Sequence, residues 1–397
     1  MGNRFSGSIV TAAIAAAVAS AAISLCVTRT SAQAPAVSGA ALKTPWGEPD
    51  LQGIWTDEFD TPLQRSAKYA NQEFFTEEQR ADLDKARSAI LTRFATEREI
   101  NGAYNAATFF STKRTGERTS KIVDPPNGRI PALTPETQKI AAADREYRLA
   151  LVRSTETCKN KLAGCAGGTY DPTPSPRYAE LPPRYNIARM NRNDGPEDSA
   201  PAERCLTAGL PEFGGATGSF RRIVQTPGGI SIFYDVGQGQ GWQRNIVMDG
   251  SPHLPADIRQ WFGDSRGRWE GDTLVIDVTN FSPKTDVFGS RENLHLVERW
   301  TRTGPRTLAY EVTIEDPTVW TRPWTVKQEF SQQSNEENRF YPEPRCVEGN
   351  YGLPGLLHGR RTEDREFAEG RGPHPATKDN VTGTLTLGEV PQDPLLQ

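Results

Sequence analysis

The chain has 397 residues, with 46 Lys plus Arg against 50 Asp plus Glu and a formal charge of −4, so neither sign dominates and nucleic acid is excluded as the default partner. At 36% hydrophobic, 9% aromatic and 24% charged residues it has enough apolar side chain to bury a core and too ordinary a charge to stay unfolded. Its 35 glycines and 30 prolines exceed average usage, which predicts many turns and few long helices.

At the N-terminus, Arg4 precedes an apolar run from Ile9 to Val27, and Ala32-Gln33-Ala34 follows it. This is the pattern of a secretory signal over residues 1–34 and predicts a periplasmic or secreted protein. The run is 19 residues long, enough to cross a bilayer, so an uncleaved anchor is the alternative. Cys26 follows Leu25 where a lipoprotein signal wants a small residue, which argues against lipidation. Removing residues 1–34 takes away Arg4 and Arg29 and no acid, leaving a charge of −6 and no basic face for a membrane. The expected partner is a small-molecule ligand, with no nucleic acid and no membrane span once the signal is gone.

Export leaves Cys158, Cys165, Cys205 and Cys346, an even number in an oxidising compartment, which points to disulfides. Of three possible pairings we favour Cys158 with Cys165, a local clip, and Cys205 with Cys346. The second closes a loop of about 140 residues and on the entropy model stabilises by about 5 kcal/mol before strain. Zinc is disfavoured because Cys158 and Cys165 are seven apart and no histidine lies close to a cysteine. No metal and no cofactor is expected.

Residues 35–75 are Pro-rich and carry WGEPDLQGIW (Trp46 to Trp55), an extended segment with two indoles. Thr76 followed by Gln79 makes a capping box, and Leu83, Ala86, Ile90, Leu91 and Phe94 recur at helical spacing, predicting a helix over 77–97. Thr134 with Pro135 and Glu136 predicts a second helix over 135–152. From 153 to 218 the chain is loop-like, a connection long enough to need strapping.

From residue 219 the hydrophobic period changes from 3.6 to 2. FRRIVQT, GGISIFYDV, WQRNIVMDG, DTLVIDVTNF, LHLVERWTRT, TLAYEVTIED and WTVKQEF read as seven strands separated by turn signals. With short links they are expected to pair antiparallel and to close, so the fold class is mainly β: an antiparallel β-barrel (calycin- or lipocalin-like), or else a sandwich, with two N-terminal helices and long loops. The domains are then a signal over 1–34, an N-terminal segment over 35–218, the barrel over 219–357 and a polar tail over 358–397.

The strand DTLVIDVT puts Leu274, Ile276 and Val278 on one side and Thr273, Val275, Asp277 and Thr279 on the other. Asp277, with His295, Glu298, Arg299, Glu311 and Glu315 on the next strands, is expected to face one enclosed pocket or barrel mouth. The bland alternative is a solvated face of cross-strand ion pairs. His253, between two prolines in DGSPHLP, and His295 are the candidate general bases. EDPTVWTRPW adds Arg322, Trp320 and Trp324 on a rigid loop where a ligand could be held and stacked. We assign acid/base roles to Asp277, His295, Glu298 and Glu311 and ligand contacts to His253, Arg299, Arg322, Trp320 and Trp324. No GxSxG, P-loop or dinucleotide fingerprint supports another chemistry, and no HExxH or facial-triad spacing supports a metal.

PDLQGIW (Pro49 to Trp55), ERCLTAGLP (Glu203 to Pro211), DGSPHLPADIRQWFGDSRGRWEGDTLVIDVTNF (Asp249 to Phe281), LVERWTR (Leu296 to Arg302), YEVTIEDPTVWTRPWT (Tyr310 to Thr325) and CVEGNYGLPGLL (Cys346 to Leu357) together resemble a large family of exported bacterial proteins of unassigned function. Similar proteins more often carry Cys-His-Glu-Gly-Asn-Tyr in the last motif, where this chain has Val347, so the resemblance implies no histidine site there. It implies no reaction. The expected function is binding of a small organic molecule, with cofactor-free acid/base catalysis (hydrolysis, isomerisation or elimination) as its extension. The alternative is a non-catalytic envelope carrier or protein-interaction module, with the same face serving as a protein contact.

Overall fold

The computed structural model describes the backbone of residues 42–379 except 58, 102–112, 189, 202, 207–208, 214–219, 238–239, 335–346 and 350, and the side chains among them except at 90–101, 163, 236–237 and 240. The expected signal segment, Cys26, Cys346 and the chain beyond 379 lie outside the described residues.

In chain order β1 (Gly53–Thr56), β2 (Phe59–Asp60), α1 (Glu77–Asn101), β3 (Arg114–Thr115), β4 (Ile122–Asp124), α2 (Pro135–Val152) and α3 (Glu156–Lys159) come first. The strands β5 (Phe220–Thr226), β6 (Gly229–Gly237), β7 (Gln240–Val247), β8 (Asp264–Glu270), β9 (Thr273–Thr279), β10 (His295–Gly304), β11 (Thr307–Glu315) and β12 (Trp324–Gln332) follow, and then α4 (Gly352–Ala368). Strands β5 to β12 pair in sequence order, and β1 joins both ends through Trp55 to Gln332 and Gly53 to Ile223. The result is a closed barrel of nine strands, which removes the exposed edges that a sandwich would keep.

All seven strands read from the alternating pattern are present. Two more complete the ring: β1, read only as an extended segment, and β8, whose sequence DSRGRWE alternates charge with small residues rather than with Val and Ile. Gly267 shows why: a Cβ there would sit 2.3 Å from the Met248 sulfur and 2.8 Å from an Ile246 methyl. Antiparallel pairing does not hold throughout. β8 starts beside the end of β7 and runs on in the same direction, so the two share a single parallel bridge at Val247 and Arg266.

Alternate side chains point into the ring. Leu274, Ile276 and Val278 of β9, Leu296 and Trp300 of β10, Leu308, Tyr310, Val312 and Ile314 of β11, and Trp324, Val326 and Phe330 of β12 are each at most 2% exposed. Each apolar side chain of this kind contributes about 1.5–3 kcal/mol. Outside the barrel both predicted helix starts are present: Gln79 N–H donates to Thr76 Oγ1 at 3.2 Å and Thr76 N–H to Gln79 Oε1 at 2.9 Å, and Thr137 N–H donates to Thr134 Oγ1 at 3.3 Å. The Cys158–Cys165 disulfide packs with Val152 at the end of α2. Cys205 is also disulfide-bonded, and its pairing with Cys346 stays a proposal.

Residues 352–368, partly assigned to a polar tail, form α4 instead. Its inner face is carried by Arg360, 5% exposed and bonded to Asp364 at 2.9 Å, so an apolar period does not reveal it. Among the described residues no helix is long and apolar enough to cross a membrane.

Candidate functional site

The strand register sorts the ionisable side chains into two sets. On β10, Leu296, Glu298 and Trp300 face in, so His295, Val297 and Arg299 face out. Pairing with β9 puts Asp277 beside Val297 on the outer wall, and pairing with β11 puts Glu315 opposite His295 and Glu311 opposite Arg299. Of the sequence candidates for acid/base work only Glu298 faces the interior. The expectation that Asp277, Arg299 and Glu311 share an enclosed space with it is therefore corrected: neighbouring residues on a strand point to opposite faces, and the bulk of Leu296 and Trp300 decides which face is inside.

Outside, five groups form one chain. Asp264 Oδ2 lies 2.8 Å from His253 Nδ1, His253 Nε2 lies 3.0 Å from Asp277 Oδ1, Asp277 Oδ2 lies 3.2 Å from His295 Nε2, and His295 Nδ1 lies 3.4 Å from Glu315 Oε2. Carboxylates and imidazoles alternate from end to end. Four adjacent strands supply one group each: Asp264 begins β8, Asp277 sits in β9, His295 begins β10 and Glu315 ends β11. His253 comes from the segment after β7, laid over the wall.

That segment is held by its own chemistry. Asn280, in the left-handed region at φ 58° that asparagine tolerates, donates its amide to the carbonyls of Leu254, Pro255 and Ile258 at 3.0, 3.0 and 3.1 Å. Gly263 turns at φ 65°, where a Cβ would meet the Thr279 carbonyl at 2.5 Å. Asp264 is the anchor: besides His253 it accepts from the Leu254 amide at 3.0 Å and from Arg266 Nε at 2.9 Å. Burial alone would raise its pKa, but bonds from Arg266, the Leu254 amide and His253 outweigh it and hold the carboxyl below its usual range.

The middle of the chain is polarised in the same way. The hydrogen bond from His295, against the opposing effect of burial, holds Asp277 below the ordinary carboxylate range. The same bond raises His295 above its ordinary 6.5, with burial opposing and Glu315 adding to the effect. The side chains are 27%, 32% and 34% exposed for His253, Asp277 and His295, so the chain is open to solvent along one side. Glu315, at 47%, is the wettest end and makes the longest contact. A chain of this kind can give a proton to, or take one from, a group placed at the His295 end, and it can keep the imidazole oriented while doing so. Among the described residues no three His, Cys, Asp or Glu side chains are arranged to hold a metal ion.

The other candidates lie elsewhere. Arg299 pairs with Glu270 at 2.8 Å, and Glu311 with Lys327 at 2.7 Å, further along the same outer wall. Arg322 pairs with Asp124 at 2.6 Å with both half exposed. Trp320 and Trp324, expected to stack on a ligand, are 1% and 0% exposed and meet edge to face at 5.6 Å, so they belong to the core. Proline-flanked indoles at a strand end bury themselves here because the ring of the barrel gives them an apolar seat. Glu298 is 1% exposed inside, 2.6 Å from Arg244 Nη2 and accepting from the Tyr310 hydroxyl at 2.8 Å.

Sequence reasoning missed Arg244, Arg221, Asp264 and Arg266. The signal for the first two was available: Trp242-x-Arg244-x-Ile246 and Arg221-x-Ile223 put a guanidinium in step with inward apolar residues. Asp264 lay in a strand too polar to be recognised as one.

No family model matches the chain and no curated protein matches it. Solved structures that show similarity include an abundant heat soluble (SAHS) protein from Ramazzottius varieornatus, 13% identical over 34% of this chain and 82% of that one with a TM-score of 0.22, and a point mutant of the fluorescent protein UnaG, 15% identical over 32% and 79% with a TM-score of 0.21.

Proposed function

We propose that the protein binds a small organic molecule at the outer barrel wall and acts on it by acid/base chemistry at the carboxylate–imidazole chain. The observation that carries this reading is the meeting of His253, Asp277 and His295, which are dispersed in sequence, with carboxylates on both nitrogens of both rings. In this reading His295 exchanges the proton with the substrate through Nδ1, whose 3.4 Å contact with the half-exposed Glu315 is the longest in the chain, while the hydrogen bond with Asp277 raises its pKa above the ordinary 6.5. Asp277 positions His295, and Asp264, His253 and Arg266 hold Asp277 in place. Glu315 faces His295 Nδ1 at the open end. We also read the chain as a member of the exported family it resembles and its barrel as calycin-like, with a periplasmic or secreted location. The apolar N-terminal run and the Cys158–Cys165 disulfide support that compartment.

The test uses two probes: 5-nitrobenzisoxazole, whose ring opens when a positioned base removes one proton, and 4-nitrophenyl acetate, which reports hydrolysis. Turnover by the wild type that Asp277→Asn and His295→Ala each reduce by about 10²-fold, the size of a general acid/base contribution, supports the reading. Rates equal in the three proteins on both probes overturn it.

A further inference from the structure

A second place on the outer wall combines space with an unusual amine. A cavity of about 560 Å³ lies between the outer faces of β10, β11 and β12 and the segment around β2 and β3. That volume is in the range that encloses small ligands. Its floor is low because the cross-strand neighbours Thr301 and Ala309 are small, and Phe59 gives an apolar wall.

Four basic side chains line it, and three of them are neutralised: Arg118 by Glu73 at 2.9 Å, Arg299 by Glu270 at 2.8 Å and Lys327 by Glu311 at 2.7 Å. Lys121 differs. It is 8% exposed, and among the described residues its amine donates only to a backbone carbonyl, that of Phe213. The nearby acids are engaged elsewhere, Asp57 with Lys113 at 2.9 Å and Glu212 with Arg221.

We propose that Lys121 is a covalent attachment site, forming an imine with an aldehyde or ketone that occupies this cavity. A buried amine facing a carbonyl oxygen keeps its lone pair when neutral, since a single N–H satisfies the acceptor. Burial lowers its pKa, with Asp57 opposing and Lys113 adding, so the neutral, nucleophilic form is favoured over that of an exposed lysine. The nitrogen adds to the carbonyl carbon, a proton passes from nitrogen to oxygen, the carbinolamine hydroxyl leaves as water with a proton from solvent, and the resulting iminium returns its N–H proton to solvent. Amine plus carbonyl gives imine plus water, and no redox partner enters.

The test is reductive trapping of the full chain with benzaldehyde and sodium cyanoborohydride at neutral pH, followed by peptide mass mapping. The expected result is a first benzyl group on Lys121, formed ahead of any exposed lysine and absent in Lys121→Arg, with the folded state of the variant verified by its near-ultraviolet circular dichroism. Early adducts spread over exposed lysines with Lys121 unmodified overturn the proposal. Should Lys121→Arg fail to fold, the order of labelling in the wild type decides alone. His295→Ala is expected to label like the wild type, so this result stands or falls independently of the acid/base reading.

Discussion

His295 and Glu298 are three residues apart on one strand and end in opposite worlds. Inside the barrel, Glu298 and Arg244 are 1% and 2% exposed, bridged at 2.6 Å and surrounded by Tyr234, Tyr310, Ser265 and the apolar ring. Burial opposes the charge on Arg244, but the facing Glu298 and Tyr234 together more than offset it and raise its pKa. Burial, with the Glu298 charge adding to it, drives the Tyr310 hydroxyl up as well. Outside, the ionisable groups are a third exposed, and the hydrogen bond with Asp277, against the opposing effect of burial, raises the pKa of the His295 imidazole. The interior network is a fixed charge arrangement, whereas the outer chain is the one to which the proposed reading assigns proton exchange. Ionisable groups thus acquire opposite roles from one residue's difference in register.

The largest expected effect breaks the interior side of this comparison. Glu298→Ala leaves Arg244 charged and unpaired in an apolar surround, and should cost about 3–5 kcal/mol in urea unfolding. The double variant Arg244→Met with Glu298→Leu removes both charges and should cost less than Glu298→Ala alone. A cost below about 1 kcal/mol for Glu298→Ala would mean that water reaches the pair and that the interior is not sealed.

What the sequence made legible follows the same division. Seven strands, two helix caps and the local disulfide were readable, because alternation, capping boxes and cysteine spacing are local signals. The barrel's closure was readable only as an expectation, since β1 sits far from β12 in sequence and shows four residues, GIWT, with no alternation to count. The inward or outward sense of each charge was also written locally, in the positions of Leu296 and Trp300 around Glu298. What local pattern could not give is His253 over Asp277: that contact depends on Asn280 and Gly263 folding a segment back onto the wall. The indole expectation failed because Trp320 and Trp324 meet core residues supplied by distant strands and loops, among them Phe213 and Phe288 against Trp324.

An intermediate effect sharpens the outer side. Asp277→Asn keeps the shape but removes the charge between two imidazoles, so the titration midpoint of His295, followed by its ring proton resonance, should move down towards or below 6.5. Folding should change by no more than about 1 kcal/mol, because the groups are partly solvated. A His295 midpoint that does not move would detach the imidazole from Asp277 and leave the chain broken at its centre.

The smallest effect concerns pH. His295 has a raised pKa in the fold, so its stabilising contribution is full below the unfolded value of 6.5 and disappears as pH rises through the folded value. Asp277 has a lowered pKa, so its contribution is full above the unfolded value of 3.8 and disappears as pH falls through the folded one. Both therefore operate together between those two ordinary values. With side chains a third exposed, solvent screening limits the pair to about 0.5–1 kcal/mol. His295→Gln should thus lower stability by that amount near pH 5.5 and by almost nothing near pH 9, measured as paired urea titrations. A loss of equal size at both pH values would assign His295 a packing role, since a contact that does not depend on protonation cannot fade as the proton leaves.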